Sequence, residues 1–162
     1  MAKITLKTST QLQVSMERLG KEADGICKMA IYEGAAIMTD QIKKNLDALP
    51  TDKFRYLRGG DKFTGLPESQ KEDLKNALGI SPMKQDENGD WNTKIGFDGY
   101  GSTETDKYPG GVPNPLLARS VESGSSVRAK TPFVRPAINQ ARNKAKKAMA
   151  DKAEEEIKKI IK

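Results

Sequence analysis

The segment from Trp91 to Ile138 restricts the fold of this chain more than any other. It opens with a strand pattern in which apolar or β-branched residues alternate with polar residues and glycine, at Trp91, Thr93, Ile95 and Phe97. A loop rich in glycine and proline follows over residues 99–113. Asn114-Pro115 then predicts a short helix that Gly124 ends, with the asparagine as its N-cap. A second cap and proline, in the segment KTPF, lead into a long basic helix, so we expect a mixed α and β fold.

A long helix is predicted before this segment, starting after the N-cap candidates Ser9 and Thr10 and ending before Pro50. Its apolar residues step by three or four positions in one narrow stripe: Leu12, Met16, Leu19, Ala23, Ile26, Ala30, Ile37, Met38, Ile42 and Leu46. Gly20, Gly25 and Gly34 interrupt this helix, and we expect one of them to mark a bend or a close helix crossing. The alternating residues Lys3–Lys7 predict a short edge strand.

Between these parts, Pro67–Leu78 reads as a short helix with Gly79 as its C-terminal cap. Residues 80–85 are interpreted as a strand, and Asn88-Gly89 as the turn of a hairpin that leads to the strand at Trp91. Residues 51–66 are interpreted as an exposed loop in which basic and aromatic residues alternate. This loop fits either nucleic-acid contact by charge and stacking or docking onto an adjacent subunit, and we favour docking.

The helix after Pro136 has a thin, alanine-rich stripe formed by Ile138, Ala141, Ala145, Ala148, Ile157 and Ile160. Near its start, a basic run offers candidates for contact with DNA phosphates or with a protein partner: Lys144, Lys146 and Lys147, beside Arg142. The alternative is a solvated helix face. Further along, Glu154–Lys158 and Glu155–Lys159 have the spacing of stabilising ion pairs.

Composition argues against an enzyme. The chain has no histidine, which removes the commonest general base and metal ligand. Its one cysteine, Cys27, excludes an intrachain disulfide and a cysteine-rich zinc site, and we expect it to be a small buried residue. The segment after Asp86 imitates a calcium loop but lacks that loop's glycine and final glutamate. We therefore expect no catalytic residue, no cofactor and no bound metal.

The chain is lean in core-forming residues. Hydrophobic residues make up 36% of the 162 positions and aromatic residues 6%, so we expect a single domain that gains buried surface from neighbouring subunits. The first ten residues lack the apolar segment of a signal peptide, and no apolar run is long enough for a membrane span. We expect a soluble protein. The formal charge of +6 keeps nucleic-acid binding open as an alternative.

Four segments have distinctive sequences: KIGFDGY, YPGGVPNPLLARSVESG, KTPFVRPAI and TGLPESQKEDLKNALGISP. They resemble the head–tail joining, or tail-completion, proteins of the neck of tailed bacteriophages and phage-derived contractile particles. The family's pattern is Tyr or Ala, a nonpolar residue and Glu-x-Gly, followed by Pro-Phe-x-x-Pro-Ala. The matching residues are Ala118, Val121, Glu122, Gly124, Pro132, Phe133, Pro136 and Ala137. The helix NPLLARS is similar to versions from contractile-tailed phages and defective prophages of Gram-positive bacteria.

This resemblance implies an α+β subunit in which a small antiparallel sheet is flanked by a long N-terminal helix and a long C-terminal helix. One domain would cover residues 1–162, with a strand and long helix in 1–50, loop, sheet and short helices in 51–135, and the basic helix in 136–162. The resemblance also implies a homo-oligomeric ring, sixfold like the tail, at the tail's head-proximal end. Partners would be tail tube, sheath or connector proteins, in a virion or phage-like particle assembled in the host bacterial cytoplasm.

Four residues are candidates for contact with a neighbouring subunit or partner: Arg119, Glu122, Arg135 and Phe133. Arg119 and Glu122 are expected on the exposed side of the short helix, so charge reversal of Glu122 should weaken assembly and spare the fold. The sheet face with Trp91, Ile95 and Phe97 is expected to pack on the long N-terminal helix through Ile26, Ala30 and Ile37. The alternative function is that of a basic accessory protein that binds nucleic acid non-specifically.

Overall fold

Two long helices, packed antiparallel, form the frame of the molecule. The computed structural model describes residues 10–161, and the strand predicted at Lys3–Lys7 lies outside this range. Helix α1 spans Thr10–Asp47 and the terminal helix α4 spans Val134–Ile161. They contact each other more extensively than any other two elements. Long helices at both ends of the chain, with small antiparallel ladders between them, confirm the predicted α+β class.

The apolar stripe of α1 is covered over its second half only. Ile26, Ala30, Ile42 and Leu46 are buried as predicted, whereas Met16 keeps 60% of its surface exposed. The glycine that marks a close helix crossing is Gly34, which is itself buried. A Cβ atom added at Gly34 would lie 2.6 Å from Cγ and Sδ of the Met149 side chain on α4, so an alanine here would require that side chain to move.

The expectation that Cys27 is buried is wrong, because its side chain is exposed. The stripe directs Ile26 and Ala30 inward, and each step along a helix turns the next side chain by about 100°. Cys27 is therefore carried away from the covered face. Within residues 10–161, no helix combines the length and the hydropathy that crossing a membrane requires.

Helix α2 spans Glu68–Ala77 and passes directly into strand β1, Leu78–Ile80. The C-terminal cap predicted at Gly79 is therefore wrong. Leu78 is the C-cap residue, and its extended backbone already belongs to the strand. Gly79 instead pairs with Gly96 in a ladder with the last of the strands.

The strand predicted from Trp91 to Phe97 is divided into two. Strand β2, Lys84–Gln85, pairs antiparallel with β3, Trp91–Asn92, and β1 pairs antiparallel with β4, Ile95–Phe97. Side chains still alternate between half-buried and exposed from position 91 to 97, so the predicted period of two is confirmed. The Asn88-Gly89 turn is confirmed as well, with Gly89 at φ 83°.

Side-chain hydrogen bonds explain why the hairpin breaks in the middle. Thr93 Oγ1 donates to the carbonyl of Ser81 at 2.6 Å, and the amide of Lys94 donates to Ser81 Oγ at 3.0 Å. The amide of Ser81 still donates to the carbonyl of Lys94 at 2.8 Å, so the side chain of Ser81 replaces only the second backbone bond of this pair. The next residue, Pro82, has no N–H with which to continue the ladder.

The core lies where the second half of α1 meets α2, strand β4, the start of α4 and helix α3, which spans Asn114–Ser123. Its largest fully buried side chains are Phe133, Leu46, Leu66, Leu74 and Val121. Each such side chain contributes about 1.5–3 kcal/mol by leaving water. Leu117 and Val121 form the buried face of α3, as predicted.

The sheet packs against α1, as predicted: β1 and β3 contact this helix, and Lys28 Nζ lies 3.8 Å from the centroid of the Trp91 ring. Ile95 and Phe97 pack against the core, where the Phe97 and Phe133 ring centroids are 5.9 Å apart. Ile26 lines a depression together with Ile160 of α4, and its predicted contact with the sheet stays a prediction. Helix α4 covers this part of α1 because its own narrow apolar stripe needs a partner over its whole length.

Candidate functional site

The start of α3 is positioned by a buried asparagine. Asn114 is 4% exposed, and its Nδ2 donates to the carbonyl of Asp98 at 3.0 Å. It is the first residue of the helix and does not act as the predicted N-cap, a position that Pro113 occupies without any side-chain hydrogen bond. Asn114 thus fixes the end of the Gly- and Pro-rich loop to α3. Gly124 ends the helix with φ 79°, as predicted.

The C-terminal end of α3 supplies the cap of α4. Glu122 Oε2 accepts hydrogen bonds from the backbone N–H groups of Phe133 at 2.8 Å and Val134 at 2.9 Å, and Oε1 accepts one from Arg135 at 3.0 Å. A carboxylate at this position also interacts favourably with the positive end of the helix dipole. Glu122 is half-buried and does not point outward as expected.

This arrangement accounts for every unpaired amide at the start of α4. A helix leaves its first four N–H groups without an intrahelical acceptor. Glu122 takes the first three, and the fourth position is Pro136, which has no N–H. The Glu-x-Gly and Pro-Phe-x-x-Pro-Ala segments are therefore two halves of one structural device.

Arg119, Glu122 and Arg135, which the sequence separates, lie together on the surface at this junction. They line a shallow depression of about 340 Å³, beside Ile138, which is 37% exposed. A second depression of about 440 Å³ adjoins it and contains Glu122, Arg135 and Lys130. We call this surface the α3–α4 junction. It presents two exposed arginines and a partly exposed isoleucine on a rigidly capped base, a composition typical of protein interfaces.

Phe133, the fourth contact candidate, is a core residue. It is 1% exposed and packs against Phe97. Its side chain is therefore not available to a neighbouring subunit in this fold. In the sequence, Pro132-Phe133 indicates the start of a helix but does not indicate that the phenyl ring of Phe133 points into the core.

The three candidate lysines of α4 are exposed but do not form a single patch. Lys144 and Lys147 share one side of the helix, and Lys147 Nζ donates to Asp151 Oδ2 at 3.0 Å, which raises the pKa of Lys147. Lys146 lies on another side of the helix, four positions after Arg142, which itself lies seven positions after Arg135, so the three share one line along the helix. We call Arg135, Arg142 and Lys146 the basic stripe. It continues from the α3–α4 junction along α4.

The loop over residues 51–66 is anchored by two buried cations that sequence reasoning missed. Arg128 is 6% exposed and donates to the carbonyl of Gly65 and, at 3.1 Å, to Gln70 Oε1. Lys71 is 5% exposed and donates to the carbonyl of Leu49 at 2.6 Å. Neutral oxygen acceptors at these spacings leave no recognisable pattern in a sequence, since carbonyls belong to every residue.

The outer part of this loop displays aromatic residues. Tyr56 is 93% exposed and Phe54 is 54% exposed. Phe54 contacts the edge of Phe63, with ring centroids 5.8 Å apart, and the Arg55 guanidinium lies 5.3 Å from the Phe63 centroid. The choice between subunit docking and nucleic-acid contact at this loop stays a prediction.

Within residues 10–161, the side chains of histidine, cysteine, aspartate and glutamate form no group of three or more that could hold a metal ion. Comparisons with protein-family models, with curated proteins and with solved structures gave no match to this chain. The resemblance to tail-completion proteins therefore depends only on the residues quoted for it.

Proposed function

We propose that this protein is a structural subunit of a phage or phage-like particle, without enzymatic activity. It assembles into a homo-oligomeric ring of six copies at the head-proximal end of the tail, where it completes the tail and joins it to the head or connector. Its other partners are tail tube, sheath or connector proteins, and it contacts DNA in the lumen only non-specifically.

The observation that carries this proposal is the hydrogen bonding of Glu122 to the start of α4. Two of the three segments in which the resemblance is strongest, YPGGVPNPLLARSVESG and KTPFVRPAI, meet at these hydrogen bonds. Arg119 and Arg135 lie on the surface beside these hydrogen bonds and line one depression. Arginine is favoured at interfaces because its planar guanidinium pairs with carboxylates in a defined geometry.

The second candidate function, non-specific nucleic-acid binding, is favoured by the basic stripe. Arg135, Arg142 and Lys146 are exposed along about three turns of α4. Such a row could follow a phosphate backbone, and its affinity would fall steeply with salt. An acidic surface on a neighbouring tail protein would satisfy the same residues.

Size-exclusion chromatography with light scattering distinguishes the two functions. The full chain is measured with and without a DNA duplex, at low and at moderate salt. A discrete ring that forms without DNA supports the neck subunit. A monomer that binds DNA with a steep salt dependence supports the function of a nucleic-acid-binding accessory protein and contradicts the proposed ring.

Charge reversal then tests the α3–α4 junction. Arg119→Glu and Arg135→Glu should each weaken assembly without lowering the melting temperature by more than a degree or two, because both side chains are exposed. Lys94→Glu, at an exposed position of the hairpin, is the matched control for the change in charge. Equal assembly of all three variants would show that the junction is not an interface.

A further inference from the structure

Helix α1 extends past the end of its partner helix. Ile160, near the end of antiparallel α4, lines a depression together with Ile26, and Arg18, Lys21 and Glu22 border the same depression, so α4 ends beside this part of α1. Every residue from 11 to 25 is exposed or half-exposed, and the first buried residue after them is Ile26. We call residues 11–25 the arm. At 1.5 Å per residue it is about 22 Å long.

The arm continues the apolar stripe that α4 covers further along α1. Met16, Leu19 and Ala23 are followed by the buried Ile26 and Ala30, at alternating steps of three and four. Met16 is 60% exposed. The same seam is therefore packed against a helix in its second part and faces outward on the arm. An apolar seam with this regularity is a typical docking surface for a second apolar surface.

A second exposed apolar surface lies further along the same helix. Met29, Tyr32 and Met83 line a groove of about 380 Å³ between α1 and the hairpin. Met29 is 41% and Tyr32 56% exposed. Thirteen to sixteen helical positions separate these α1 residues from Met16. They therefore lie about 20 Å along the helix from Met16 and on roughly the opposite side of it.

The geometry of one continuous helix prevents the arm from filling its own groove. Thr10–Asp47 is a single helix, and both surfaces belong to it. We propose that the arm of one copy of this chain docks in the Met29–Tyr32–Met83 groove of a second copy. The inference rests on the self-assembly in the proposed function, and it does not depend on the particle to which the ring belongs.

Three features favour a second copy as the occupant. Two different apolar surfaces on one chain produce a head-to-tail contact, which is the type of contact that closes into rings. The arm carries three acidic and two basic residues, whereas the groove is lined by two lysines and one glutamate, so the net charges are opposite. Methionine on both sides allows the contact to adapt to an irregular shape.

Cross-linking between two populations tests the proposal directly. Both populations carry Cys27→Ser, which removes the chain's one native thiol. The first also carries Met16→Cys and the second Tyr32→Cys. A short bismaleimide should give a covalent dimer in the mixture and none in either population alone. Dimers from Met16→Cys alone would show that arms pair with each other and would overturn the proposal, as would a mixture without dimers.

A pair of arm variants provides an independent measurement. Met16→Glu should raise the dissociation constant for self-association by about tenfold or more, because it places a carboxylate in the docked seam. Val14→Glu is the matched control, since Val14 is 59% exposed and lies about 200° around the helix from Met16. Equal effects of the two variants would overturn the seam assignment. Circular dichroism checks that both variants keep their helix content.

The outcome also separates this inference from the proposed function. If the Met16→Glu variant still forms the oligomer and the mixture gives no cross-link, the proposed arm contact is wrong and the proposed ring is unaffected. The converse result is also informative. If the mixture cross-links but the protein forms open chains or binds DNA and does not form a closed ring, the arm contact is supported and the proposed neck function is wrong.

Discussion

Glu122 Oε2 accepts a hydrogen bond of 2.8 Å from the backbone N–H of Phe133 and so ties the end of α3 to the start of α4. Phe133 at the same time places its ring in the core. One carboxylate therefore links the surface of the α3–α4 junction to the packing beneath it, and its loss should affect folding before it affects assembly.

We expect Glu122→Ala to lower the free energy of unfolding by about 1–3 kcal/mol, because three amides lose a charged acceptor. Urea denaturation measures the change. Arg119→Ala, one turn earlier and exposed, is the control and should stay within about 0.5 kcal/mol of the wild type. This replaces the expectation that charge reversal of Glu122 spares the fold. If both variants unfold like the wild type, the cap is not formed in solution.

Phe133→Ala should cost about 3–5 kcal/mol, since the ring is almost fully buried. Phe97→Ala should cost less, because Phe97 is only half-buried. A double-mutant cycle should give a coupling of about 0.5–1.5 kcal/mol between the two rings, whose planes are inclined by 65°. A larger loss for Phe97→Ala than for Phe133→Ala would contradict the burial order in the core.

The helical glycines of α1 should respond to alanine with opposite signs. At Gly25 an added Cβ meets nothing within 4 Å, so Gly25→Ala should raise stability by up to about 1 kcal/mol through helix propensity. At Gly34 the same methyl group would collide with Met149, so Gly34→Ala should lower stability. Thermal unfolding of both variants provides the comparison. A stabilising effect at Gly34 would mean that the Met149 side chain moves aside at little cost.

Asp52 should contribute to the acid sensitivity of the protein. Its carboxylate accepts a hydrogen bond from the amide of Thr64 at 2.7 Å and pairs with Arg55, and these contacts hold the pKa of Asp52 below its ordinary value of 3.8. Because the pKa is lower in the folded state, the stabilisation is present above the unfolded value and is lost as the pH falls below it.

The Asp52 prediction is tested with Asp52→Asn. This variant should be less stable than the wild type at pH 7 and closer to it at pH 3, measured by urea midpoints at both values. A difference between the two proteins that does not change with pH would show that the charge of Asp52 makes no contribution through this loop.

Periodic patterns and turn residues in the sequence were sufficient to predict that the helices and strands exist. The stripes of α1 and α4, the alternation from Trp91 to Phe97 and the Asn88-Gly89 turn were read from the sequence, because helices and strands place side chains at fixed local spacings. Local signals also misled. Gly79 appears as a cap by its position after α2, but the pairing with Gly96, seventeen residues away, decides its conformation.

The contact surface was predicted in part. Arg119, Glu122 and Arg135 were chosen as surface residues, and the structure brings them together. The capping role of Glu122 and the burial of Phe133 could not be read from the sequence, since both follow from how α3 crosses the start of α4. That the three lysines of α4 lie on two different sides of the helix could have been predicted from their spacing in the sequence.

By itself, the sequence determined which residues are helical, which alternate in strands and where turns end them, because these depend on neighbours within a few positions. The tertiary structure decided which parts of each stripe are covered. The stripe of α1 has the same spacing at Met16 as at Ile26, yet α4 reaches only the second of these residues. Whether a residue of the stripe is buried depends on where the helix packed against it ends, and the spacing of apolar residues within α1 does not contain that information.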